Sequence, residues 1–109
     1  MTVRQMADRL SLTTLSEVDA DREIDGVYIG DLLSWVMGRA KSDNAWITIM
    51  SNINIVAVAS LADVACVILA EGVTLDESVR GTARQKGVNV YSSDKTAYQL
   101  AAEMAELLK

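Results

Sequence analysis

The stretch Met50-SNINIVAVASLADVACVILAEG-Val73 is the least polar part of the chain, and its reading decides the fold. From Ile53 to Ala70 only Asn54, Ser60 and Asp63 interrupt the apolar residues. A membrane helix needs about 20 consecutive apolar residues. Asp63 near its middle would cost about 2.5–3.5 kcal/mol on insertion scales. The stretch divides better at Asp63, into a helix from about Ile53 to Ala62, a turn, and a strand from Val64 to Ala70. Strands of parallel sheets are covered on both faces and read as unbroken apolar runs. The stretch is therefore expected to be the centre of a core and not a membrane span.

Working outward, the same alternation recurs. Short runs rich in β-branched residues, "VYIG" (27–30), "AWITIM" (45–50), "VACVILA" (64–70) and "VNVY" (88–91), are each followed by a segment with helical spacing. These segments begin at Asp31, Asn54, Leu75 and Asp94. Strands alternating with helices of about ten residues give βαβ units and a parallel sheet flanked by helices. An N-terminal helix over about Val3–Leu10 precedes the series, and a short edge strand is expected near Thr13–Leu15. The fold class expected is α/β, one domain over 1–109, with a mostly parallel sheet of four to five strands. Thr2-x-x-Gln5 and Thr74-x-x-Glu77 have capping-box spacing, and Gly87 stands where a helix needs a left-handed residue to end.

Composition narrows the function. Ten basic and fifteen acidic residues give a net charge of -5, and no basic run exists to displace counterions from phosphates. Nucleic acid is excluded as an expected partner, and so is a membrane. There is no histidine, and Cys66 stands alone in an apolar run, so no Cys/His metal site and no histidine base can form. Phosphate-binding loops, dinucleotide fingerprints and nucleophile elbows are missing. No enzyme activity, metal or cofactor is expected. Arg22, Arg39, Arg80 and Arg84 are scattered and read as solvated. The first turns at the N-terminus mix acidic and basic residues without a long apolar core, unlike a signal peptide, and a cytoplasmic location is expected.

Two features point to function. Ligands in open parallel sheets bind beyond the carboxyl ends of the strands, near a reversal of strand order. Those ends carry Asp31, Asn52 with Asn54, Glu71 with Gly72, and Ser92 with Ser93. Together they could form a hydrogen-bonding rim for a nucleotide or phosphorylated metabolite. Capping and tight turns account equally well for Asp31, Asn52 or Asn54, Thr74 and Ser93. The second feature is that helix 53–62 is apolar almost all round, which fits a helix buried on more than one side. Helix 31–41, with Trp35, is also too apolar for one buried face. A homodimer is the expected cover, through Leu32, Trp35, Val56 and Ala59; the alternative is cover by the N- and C-terminal helices. Trp46 reads as core or interface packing.

"DREIDGVYIGDLLSWVM" (21–37), "AWITIMSNINIVAVA" (45–59), "ACVILAEGV" (65–73) and "VYSSDKTAYQLA" (90–101) resemble the stand-alone DRTGG domain family. Asp21-Arg22, Gly26, Gly30-Asp31-Leu32-Leu33, Asn54 and Glu71-Gly72 carry the likeness, which spans about Met1 to Leu107. The chain has no contiguous D-R-T-G-G. The resemblance implies an α/β domain similar to the N-terminal domain of HPr kinase/phosphorylase. It also implies a role like that of the DRTGG domains fused to CBS-domain pyrophosphatases or phosphotransacetylases, which support assembly or regulation. The function expected is a non-enzymatic regulatory or assembly module acting through homodimerisation. The alternatives are a small-molecule sensor using the strand-end rim, or an accessory subunit docking on a larger enzyme or another cytosolic protein.

Overall fold

In the computed structural model, which describes residues 1–109, the elements follow in the order α1 (Val3–Arg9), β1 (Thr13–Ser16), β2 (Val27–Ile29), α2 (Leu33–Arg39), β3 (Ala45–Thr48), α3 (Asn54–Ala62), β4 (Cys66–Leu69), α4 (Glu77–Gln85), β5 (Val90–Ser92) and α5 (Ala97–Leu107). The deciding stretch divides at Asp63. This residue caps α3 in the left-handed conformation, φ 59°, and its N–H reaches back to the last turn. No helix is long and apolar enough to cross a membrane.

One five-stranded sheet has the order β1-β5-β4-β3-β2. β2 to β5 run parallel, with Ala45–Thr48 paired residue for residue to Cys66–Leu69. β1 pairs antiparallel with β5, and the register slips between Thr14 and Ser16. Consecutive parallel strands joined by crossovers of one hand put their helices on one face. α2, α3 and α4 accordingly pack there on Trp46, Val67, Leu69 and Val90. α1 and α5 cover the other face, over Ala45, Ile47, Cys66, Ile68 and Tyr91. Successive strand residues alternate between the two cores, as the pleat requires. Trp46 is fully buried and donates its Nε1–H to Gly30 O at 2.9 Å.

The structure corrects several expectations. Val56 and Ala59 are each 2% exposed and belong to the chain's own core, so neither can meet a partner. The inward face of α3 is Ile55, Val56, Val58 and Ala59, and its outward ridge is Ile53, Ala57 and Leu61. The terminal helices lie across the sheet and do not cover α2 or α3. Thr74 does not cap α4, which begins at Glu77 after Asp76; the Thr74 hydroxyl instead accepts from Arg80 at 3.0 Å. Arg22 is not solvated: it binds Asp43 and Asp63, as described below.

Candidate functional site

Each rim residue has a local structural partner or position that can be read directly. Asp31 does not cap α2, whose N-cap is Leu32 without a side-chain bond. Its Oδ1 accepts from Thr48 Oγ1 at 2.7 Å and from Ile49 N at 3.0 Å, tying the β2–α2 turn to the end of β3. Asn52 Oδ1 accepts from Asn54 N at 2.9 Å, an Asx turn that opens α3. Glu71 and Gly72 are both left-handed, φ 58° and 76°. Their N–H groups donate to Lys95 O and Ser93 O, each at 2.8 Å. Ser93 Oγ accepts from Lys95 N.

The parallel strands run in chain order with no reversal among them, so the expected switch point takes another form. β4 leads to α4 on one face of the sheet, whereas β5 leads to α5 on the opposite face. Where adjacent exits diverge, a crevice opens at the carboxyl ends. A cleft of about 250 Å³ lies there, between Gly72, Ser92, Ser93, Asp94 and Lys95 on one side and Leu10, Ser11 and Thr13 on the other. It brings together three of the seven rim residues, Gly72, Ser92 and Ser93. Asp31, Asn52, Asn54 and Glu71 lie outside it. Ser11 and Thr13 went unnoticed in the sequence, because only the antiparallel pairing of β1 with β5 carries them to this corner.

A second cleft, about 410 Å³, opens at the amino ends of β2 and β3, among Asp25, Gly26, Tyr28, Arg39, Lys41 and Ser42. Much of its polarity is already engaged. Arg39 stacks over the Trp35 ring at 3.8 Å, Ser42 donates to Asp63 at 2.7 Å, and the Asn44 side chain bonds Lys41 N and Asp25 O.

Reactive groups are protected. Cys66 is fully buried, and burial pushes its thiol up to about 12, so no thiolate forms near neutral pH. The Tyr91 phenol is raised by burial and by its 2.7 Å bond to Glu17, and stays protonated. No three acidic, histidine or cysteine side chains are placed to hold a metal ion.

Comparisons with known proteins agree with this architecture. No curated protein sequence matches the chain. Among solved structures, it is similar to the CBS and DRTGG domains of the regulatory region of Clostridium perfringens pyrophosphatase, crystallised with its activator diadenosine tetraphosphate. The TM-score is 0.72 at 12% identity, over 93% of this chain and 44% of that one. That likeness is one of fold. The family model for the DRTGG domain matches residues 5–107, nearly the whole length, and the chain therefore belongs to the DRTGG domain family.

Proposed function

We propose that the domain is a non-enzymatic regulatory module that acts by pairing with a second copy of itself. The distribution of exposed apolar side chains carries this reading. Nine large apolar residues are 41% exposed or more, and six of them, Ile29, Leu32, Trp35, Met37, Ile49 and Ile53, lie on or beside β2, α2 and the β3–α3 turn. They occupy one end of the sheet, next to the open edge of β2, whose residues Val27, Tyr28 and Ile29 carry no charge. The opposite edge strand, β1, has the irregular register that deters edge pairing. A concentrated apolar surface of this kind marks an interaction site.

The regulatory part of the proposal draws on family membership and on the similar pyrophosphatase region, which is regulatory and was crystallised with a nucleotide activator. The absence of histidine and the burial of Cys66 leave little for catalysis to use. A second reading, a small-molecule sensor, is favoured by the cleft at the exits of β4 and β5. Light scattering coupled to size exclusion tests the first reading. The expected species is a dimer at micromolar concentration that becomes a folded monomer in Leu32→Asp/Trp35→Glu. A monomeric wild-type chain would overturn homodimerisation and leave the patch for docking on a larger protein.

A further inference from the structure

We infer that the cleft at the exits of β4 and β5 binds the neutral, diol-bearing part of a small molecule, such as a ribose, with the Asp94 carboxylate as acceptor, and rejects a bare phosphate. This rests on the second reading above, that the cleft takes a small molecule, and adds the chemistry of what it takes.

The place is the one where an α/β sheet offers a ligand crevice, because adjacent strand exits turn to opposite faces. The lining then decides the ligand. A phosphate site needs free backbone N–H groups or unpaired cations. Here the N–H groups of Glu71, Gly72 and Ser93 are spent on Lys95 O, Ser93 O and Leu69 O. Lys95 is the only cation in the lining, and both Glu103 oxygens hold its Nζ, at 2.8 and 2.9 Å. The positive end of α5 is already answered by its Thr96–Gln99 capping box and by Asp94 itself, two residues before the cap. The N–H groups of Asp94, Ala97 and Tyr98 keep no partner within the chain, but the Asp94 carboxylate lines the same cleft and no free cation is left there to offset its charge against an anion.

What remains unspent has the opposite character. Asp94 makes no ion pair and no hydrogen bond within the chain, and its Oδ1 rests against Gly72, where a Cβ would stand only 3.2 Å away. Ser11, Thr13 and Ser92 line the same cleft, and their hydroxyls make no hydrogen bond within the chain. A carboxylate with two acceptor oxygens in a cleft also lined by hydroxyls suits a vicinal diol, in the way an acidic residue receives ribose hydroxyls in dinucleotide-binding folds. The same carboxylate repels phosphate.

The test is an amide NMR titration of the full chain with the four ribonucleosides, their 2′-deoxy counterparts and inorganic pyrophosphate. At least one ribonucleoside should shift the amides of Gly72, Ser92, Ser93 and Asp94 saturably. Its deoxy counterpart should bind at least about tenfold more weakly, the lower end of the factor expected for one lost hydrogen bond to a charged group. Asp94→Asn should weaken the ribonucleoside by a similar factor. If that variant does not fold, the ribo/deoxy comparison on the wild-type chain decides. Equal binding of ribo and deoxy forms would overturn the inference. Pyrophosphate binding at these amides, tightened by Asp94→Asn, would overturn it too while leaving the sensor reading intact. No response of the cleft to any probe would remove both.

Discussion

Arg22 donates from Nε to Asp43 Oδ1 at 2.8 Å and from Nη2 to Asp63, both to its backbone oxygen and to Oδ1 at 3.0 Å. Both aspartates are left-handed, φ 67° and 59°, and Asp43 N also donates to Asp63 O. One guanidinium thus fixes two strained turns at the amino ends of β3 and β4. Arg22→Ala is expected to cost about 1–2 kcal/mol in urea unfolding. Bonds to charged groups are worth about 1.5–3 kcal/mol, and partial exposure of both carboxylates screens part of that. The hydrogen bond from Ser42, and then that from Arg22, hold the Asp63 carboxyl below the usual carboxylate range. A folded value below the unfolded one contributes stability that is present above about pH 4 and is lost as pH falls through the folded value. Ser42→Ala should therefore move the Asp63 titration upward and shallow the acid limb of the stability profile; an unchanged Asp63 carboxyl titration by NMR would refute this role. Asn89 is the comparable residue in the loop before β5. It is 2% exposed, with Oδ1 accepting from Val18 N and Asp19 N and Nδ2 donating to Asp19 O and Ala65 O. Neither role could be read in the sequence. The partners of Arg22 lie 21 and 41 residues away and those of Asn89 mostly about 70, so only the fold brings them together.

At the scale of elements, helix ends separate caps that work from caps that only have the spacing. Thr2 and Thr96 both accept from the backbone three residues on, and Gln5 and Gln99 return the bond. Thr74 shares the spacing, but its helix starts two residues later than the motif requires. Thr96→Ala should cost about 1 kcal/mol, whereas Thr74→Ala should stay within about 0.5 kcal/mol, both by urea midpoint at constant slope. Equal costs would mean that Thr74 does cap α4 in solution. The alternation of strand and helix was legible because period-2 and period-3.6 patterns differ over even four to nine residues. The phase of α3 was not. An amphipathic helix declares its buried face, but α3 has apolar residues on both sides, and nothing in "NIVAVASLA" says that Val56 turns inward while Leu61, 73% exposed, turns outward. For the same reason Trp46 and Trp35 looked alike, yet one is fully buried and the other half exposed. Strand ends were legible as polar positions, whereas their division between the β4–β5 cleft and the β2–β3 turns depended on which helix crosses to which face.

At the scale of the whole molecule, two opposed terms set whether copies pair. The apolar end of the sheet favours association, and a net charge of -5 on each chain opposes it. If the dimer is the folded species, its thermal midpoint must depend on protein concentration. A hundredfold rise adds about 2.7 kcal/mol per dimer, half of it per chain. With about 4–8 °C for each kcal/mol in a domain of this size, the midpoint should climb by several degrees. The Leu32→Asp/Trp35→Glu pair should remove that dependence and leave a cooperative transition. Salt adds a second, signed check. At about 0.1 M ionic strength the screening length is about 10 Å and shortens as salt is added, so repulsion between like-charged copies weakens while apolar contact does not. Added sodium chloride should therefore tighten the dimer in sedimentation equilibrium. If salt loosens it instead, ion pairs hold the copies together and the apolar patch is not the contact. If no concentration dependence appears at any salt, homodimerisation falls, and for an acidic chain with a bare apolar corner the partner that charge complementarity favours is one with a basic rim around an apolar centre.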